Sequence, residues 1–167
     1  MIFRLSQKLA KKLGETPTRT VPLNPNPLAD WSGHVFSADR TQYVIVTNTA
    51  SLYSAVFFGR GVTDGGRLLD RGLAAIQDVM VGDGLGFIYM RPVTPTSASV
   101  TFSKSLNRSV TGSIGDLVTS AKIWLTEEER SPYDASFRLN ETPMSAIGYA
   151  NPREALKALM VDHDEVH

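Results

Sequence analysis

Apolar positions along the chain switch between two rhythms, and the switches mark out its elements. Ile2–Leu5 reads as a short strand. Ser6 then caps a helix over 6–13 whose inner stripe is Leu5, Leu9 and Leu13, and Gly14 ends it. Residues 15–30 contain Thr16-Pro17 and Asn24-Pro25-Asn26-Pro27. Residues before proline avoid helical backbone, so this stretch is expected to be an extended loop. His34–Ser37, Tyr43–Thr47 and Leu52–Phe58 are β-branched or aromatic runs separated by the turns Ala38-Asp39-Arg40 and Asn48-Thr49-Ala50. Connections this short predict antiparallel neighbours.

A helical rhythm returns after Asp64. Leu69, Leu73, Ile76 and Met80 form one face of a helix over 66–81, flanked by Leu68, Ala75 and Val79 and stopped by Gly82-Asp83-Gly84. Leu85–Met90 is read as a fourth core strand closed by a Pro92–Pro95 turn, and Ala98–Ser103 alternates as a further strand. The next helix is placed at 113–127 through Ile114, Leu117, Val118, Ala121, Trp124 and Leu125, with Ser113 and Asp116 as a capping pair. A loop leads to Asn151-Pro152-Arg153-Glu154, a start signal for a helix over 152–160 that buries Leu156, Leu159 and Met160. Residues 162–167 read as a frayed tail. The expected architecture is one α+β domain over 1–167, a mainly antiparallel sheet of about five strands with three to four packed helices.

Charge changes this picture little overall and more locally. Lys plus Arg and Asp plus Glu each number 17, so the phosphate-neutralising excess of a nucleic-acid-binding protein is missing. Arg4, Lys8, Lys11, Lys12 and Arg19 nevertheless crowd the first 20 residues against Glu15, while residues 127–167 are acidic in balance. The absence of cysteine excludes disulfides, thiolate metal sites and a cysteine nucleophile, and fits a cytoplasmic protein. No apolar run has membrane-spanning length, and Met1–Leu5 leads into the first helix without a signal-peptide pattern.

Familiar chemistries fail on residue supply. His163 and His167 sit in D-H-D-E-V-H, but a frayed terminus does not preorganise a metal site, so no metal and no cofactor are expected. His34 would have to serve any Ser-His-Asp triad, and no G-x-S-x-G elbow supplies the nucleophile. Gly59-Arg60-Gly61 and Asp64-Gly65-Gly66 precede a helix, yet they match no phosphate-loop pattern and put an acid where a phosphate would sit.

The segment from Lys104 to Asp116 is the most distinctive. It leaves a strand and enters the clearest helix with Lys104, Asn107, Arg108, Ser109, Thr111, Ser113 and Asp116 around its mouth. Free amides there, a bidentate Arg108 and three hydroxyls would suit an anion. The competing account is structural: Ser113 and Asp116 cap the helix, and Arg108 bridges to Asp116 or Glu141.

The pattern N-R-S-V-x-G-S-x-x-D in this segment resembles the signature of an uncharacterised bacterial family of small proteins, a domain of unknown function. M-I-F-R-L-S-Q-K-L at the start and R-L-N-E-T-P-M-S-A-I-G-Y-x-x-P over Arg138–Pro152 are similar to it as well. The resemblance implies a site at Arg108, Ser109, Gly112, Ser113 and Asp116 and implies no reaction; Gly115 stands where a polar residue, often Asn, is expected. The reading is a non-catalytic binding or regulatory module that uses the 104–116 loop, with the basic first helix as a second candidate element, to hold an anionic group or a protein partner; a homo-oligomer is the other partner considered. The alternative is an enzyme acting on a phosphorylated or nucleotide substrate, with Arg108 stabilising charge and Asp116 as acid or base.

Overall fold

The computed structural model describes residues 1–88 and 99–166, with side chains through Met160. Its centre is a five-stranded sheet of order β4-β3-β2-β1-β5, formed by β1 (Ile2–Leu5), β2 (Asp30–Ala38), β3 (Thr41–Asn48), β4 (Ser54–Phe58) and β5 (Thr101–Lys104). Helices α1 (Gln7–Leu13), α2 (Gly65–Gly82), α3 (Gly86–Ile88), α4 (Arg108–Thr126), α5 (Pro132–Asn140) and α6 (Pro152–Val166) surround it. Among the described residues no helix is long and apolar enough to cross a membrane.

The meander β2-β3-β4 is antiparallel, as the short turns predict. Asp39 and Arg40 make a two-residue turn with both φ values positive (50° and 66°), the geometry that matches strand twist. β1, however, lies parallel to both β2 and β5, so the sheet is mixed rather than nearly all antiparallel. Local turn signals cannot reveal this, because both of β1's partners come from far along the chain.

Alternation divides the sheet into two faces. Phe3, Leu5, Trp31, Val44, Val46, Ala55 and Phe57 pack with Leu9 and Leu13 of α1, Leu68 and Ile76 of α2 and Leu156 of α6. On the other face Phe36, Tyr43, Ile45 and Val56 meet Ile114, Leu117, Ala121 and Leu125 of α4 and Ala135 and Leu139 of α5. Gly33 lets α1 come close: a Cβ there would stand 2.8 Å from Leu9 Cδ2.

The second face also buries an ion pair. Arg4 and Asp30 have fully buried side chains; Arg4 Nε donates to Asp30 Oδ1 and Nη2 to Oδ2, both at 2.8 Å. The remaining guanidinium hydrogens reach the carbonyls of Val21 (2.6 Å) and Pro22 (3.1 Å). Asp30 also accepts from the Asn24 amide (3.0 Å) and the Thr49 hydroxyl (2.7 Å). One side-chain pair thus joins β1, β2, the β3–β4 turn and the 15–26 loop.

Both outer edges of the sheet are covered. Asn140 of α5 clamps Ser54, accepting from its N–H at 2.8 Å and donating to its carbonyl at 2.9 Å, and Ser136 Oγ accepts from Val56 N–H at 2.8 Å. At the far side the 15–26 loop runs along β5: Lys104 N–H donates to the Arg19 carbonyl and Val21 N–H to Ser103 Oγ.

Several sequence expectations shift. α4 starts at Arg108 rather than 113, because Asn107 Oδ1 accepts from Val110 N–H and takes the cap assigned to Ser113, which is buried inside the helix. The strand expected at Leu85–Met90 is overturned where it is described: Gly86–Ile88 is a helical turn. The rest of that strand, the Pro92–Pro95 turn and Ala98 lie outside the described residues. A loop expected before Asn151 contains α5, opened by Ser131 Oγ accepting from Asp134 N–H with Pro132 in the first turn. α6 runs past residue 160 to Val166.

Asp30→Ala would leave the Arg4 guanidinium buried without its counter-charge. The expected loss is about 3–5 kcal/mol of folding free energy, read from urea-unfolding midpoints.

Candidate functional site

β2 outlasts its neighbour. β1 stops at Leu5 opposite Gly33, and Ser6, whose N–H donates to the Gly33 carbonyl (3.1 Å), turns the chain into α1. Residues 34–37 of β2 therefore project beyond β1 with α1 over one face and α4 under the other. The space left beside them is a cleft of about 1070 Å³, closed laterally by residues 15–20 and the end of β5. That size suits a ligand of small-molecule dimensions or a short stretch of chain.

The charged side chains of the cleft are four lysines and one glutamate. Lys8 and Lys11 come from α1, Lys104 from the end of β5 and Lys122 from α4. Among the described residues none of the four makes an ion pair, and Glu15 is the single carboxylate on the wall. Ser6, Thr16, Ser37, Ser105 and Thr111 add hydroxyls, while Val35, Phe36 and Val118 add apolar surface. Thr111, Gly115, Val118 and Lys122 follow helical spacing and present one face of α4 to the cleft; Ile114, Leu117 and Ala121 present another to the core.

His34 sits at the inner end of this wall, half-buried, and its burial holds the imidazole below its ordinary value of 6.5. An anion placed beside it would favour the protonated ring and oppose that effect.

The residues singled out from the sequence are dispersed. Lys104 and Thr111 line the cleft. Ser109 and Ser113 line a separate recess of about 130 Å³ against Thr49, Leu52 and Ile147, room for a few waters. Asn107 is consumed as the helix cap. Arg108 and Asp116 are exposed, line neither space, and make no ion pair among the described residues, so neither the expected bridge to Asp116 nor one to Glu141 forms. Among the described residues no three His, Asp or Glu side chains converge as metal ligands would. The side chains of His163 and His167 lie outside the described residues.

Lys122 and His34 are missing from the sequence-derived set, and Lys8 and Lys11 enter it only through the basic first helix. The basic first helix is visible in the sequence, but nothing local joins it to Lys122, which reaches the same space only because β1 is inserted beside β2.

The chain belongs to DUF6933, a domain of unknown function whose family model matches residues 2–155. No curated protein and no solved structure matches it.

Two measurements follow from this geometry. Because the fold prefers neutral His34, the unfolded chain binds a proton first as pH falls through 6.5, and stability declines below that value. His34→Gln should remove this component, flattening the fall in stability as pH drops below 6.5. Burial pushes the Asp83 carboxyl up and gives a slope of the opposite sign, so the readout is the difference between variant and wild type. Arg108→Ala should move stability by less than about 0.5 kcal/mol, as expected of an exposed side chain without a partner.

Proposed function

We propose that this DUF6933 protein is a non-catalytic binding module that holds an anionic group in the cleft at the end of the 104–116 segment. One observation carries the reading: Lys8, Lys11, Lys104 and Lys122, from three separate elements, border one concave space and make no ion pair among the described residues. Bringing like charges together costs free energy, and a bound anion relieves that cost. The partly apolar walls lower the local dielectric and strengthen the attraction relative to open surface. The absence of cysteine supports a cytoplasmic setting.

The enzymatic alternative needs Arg108 and Asp116 to share a pocket. Among the described residues they line neither the cleft nor the small recess, and the helix mouth beside Arg108 is capped by Asn107. This favours binding over catalysis.

Titration calorimetry with inorganic tripolyphosphate tests the proposal. Wild type should bind, with affinity falling steeply as salt rises from about 0.05 M to about 0.5 M. The double reversal Lys104→Glu with Lys122→Glu should weaken binding by at least about tenfold while thermal unfolding stays cooperative. Failure of wild type to bind, or equal binding by the doubly reversed protein, overturns the reading.

A further inference from the structure

Strand β2 carries an unused pairing edge inside the cleft. In an antiparallel ladder, residues alternate between those bonded to the partner strand and those whose N–H and C=O point the other way. The two-residue turn after Ala38 pairs Ala38 with Thr41, so Ala38, Phe36 and His34 bond to β3. Gly33, Val35 and Ser37 then point toward the β1 side. The Gly33 carbonyl confirms the parity, since it accepts from Ser6 N–H. β1 ends there, and no backbone hydrogen bond to Val35 or Ser37 on that side occurs among the described residues. Both residues line the cleft, Val35 half-buried and Ser37 exposed. The two outer edges of the same sheet are occupied, one by Asn140 and Ser136 and the other by the 15–26 loop.

Building on the anion-binding reading, we propose that the anionic group is an acidic extended peptide segment of a partner protein, which continues the line of β1 and pairs with Val35 and Ser37. Backbone bonds to these residues would supply two donors and two acceptors to about three residues of the guest. Successive side chains of a strand point to opposite faces. One set would meet Lys8 and Lys11 on α1, the other Lys122 on α4, with Lys104 at the slot's end. Consecutive acids are therefore matched on both sides, and a lone small anion would reach only part of this lining.

Gly115 provides a variant that spares the core. A Cβ there meets nothing within 4 Å, and the residue faces the cleft from an exposed helical position. Gly115→Glu places a carboxylate in the guest's path. Ser37→Pro deletes one of the two N–H donors on the free edge, where proline is tolerated.

The probe is a fluorescent, end-blocked pentapeptide, Val-Glu-Glu-Glu-Val, compared with the same peptide methylated on every backbone nitrogen, with an oligothymidylate and with tripolyphosphate. The expected result is that the pentapeptide binds the full chain, and methylation, Gly115→Glu and Ser37→Pro each weaken it at least about tenfold. Tripolyphosphate should lose affinity for Gly115→Glu but keep it for Ser37→Pro, which also shows that the proline variant is folded. If the two peptides bind equally, or the oligothymidylate binds as tightly as the pentapeptide, strand pairing is wrong and the anion site survives. If neither pentapeptide nor tripolyphosphate binds, both readings fall together.

Discussion

The fold hangs on the contact between Arg4 and Asp30. Burying either charge alone would cost several kcal/mol, and the structure tolerates both because almost every lone pair and hydrogen is matched. In the parallel register, which sets Ile2 opposite Asp30 and Arg4 opposite Ser32, the Arg4 fork reaches diagonally to the Asp30 carboxylate. It draws in the carbonyls of Val21 and Pro22, and so anchors the loop that covers β5. Without that anchor the cleft would lose one of its walls.

Ordering by this pair explains how a chain of balanced charge presents a cationic concavity. Arg4 and Asp30 neutralise each other in the interior, and the surface pairs of Arg130 with Glu128 and of Lys157 with Glu154 use acids at the other end of the chain. Lys8, Lys11, Lys104 and Lys122 have no such acids nearby apart from Glu15. Net charge is a poor guide to a site when opposite charges are segregated in space.

Much of the fold was legible where the signal was local. The α1 stripe of Leu5, Leu9 and Leu13 and the Asp39-Arg40 turn follow from spacing and turn chemistry and are found in place, whereas the buried face of α2 is rotated from Leu69 and Leu73, which are half-buried, onto Leu68, Gly72, Ile76 and Val79. Ser131-Pro132 carries the same start signal as Asn151-Pro152, and the loop expected there is instead α5. The parallel placement of β1 is not readable locally, because its partners lie at residues 30–33 and 101–104. The candidate site suffered most from this. Arg108 and the helix mouth are contiguous in sequence, whereas the cleft is assembled from α1, β2, β5 and α4. Of the segments that resemble the family pattern, the start contributes Arg4 and the later one Asn140, and both residues hold the sheet together.

An open strand edge invites pairing with a second molecule, which presents the same hydrogen-bonding ladder. Here two copies meeting edge to edge would crowd both sets of cleft lysines into one seam. Their mutual repulsion opposes that edge-to-edge pairing, so the same lysines that would attract an acidic strand disfavour a second copy of the notch.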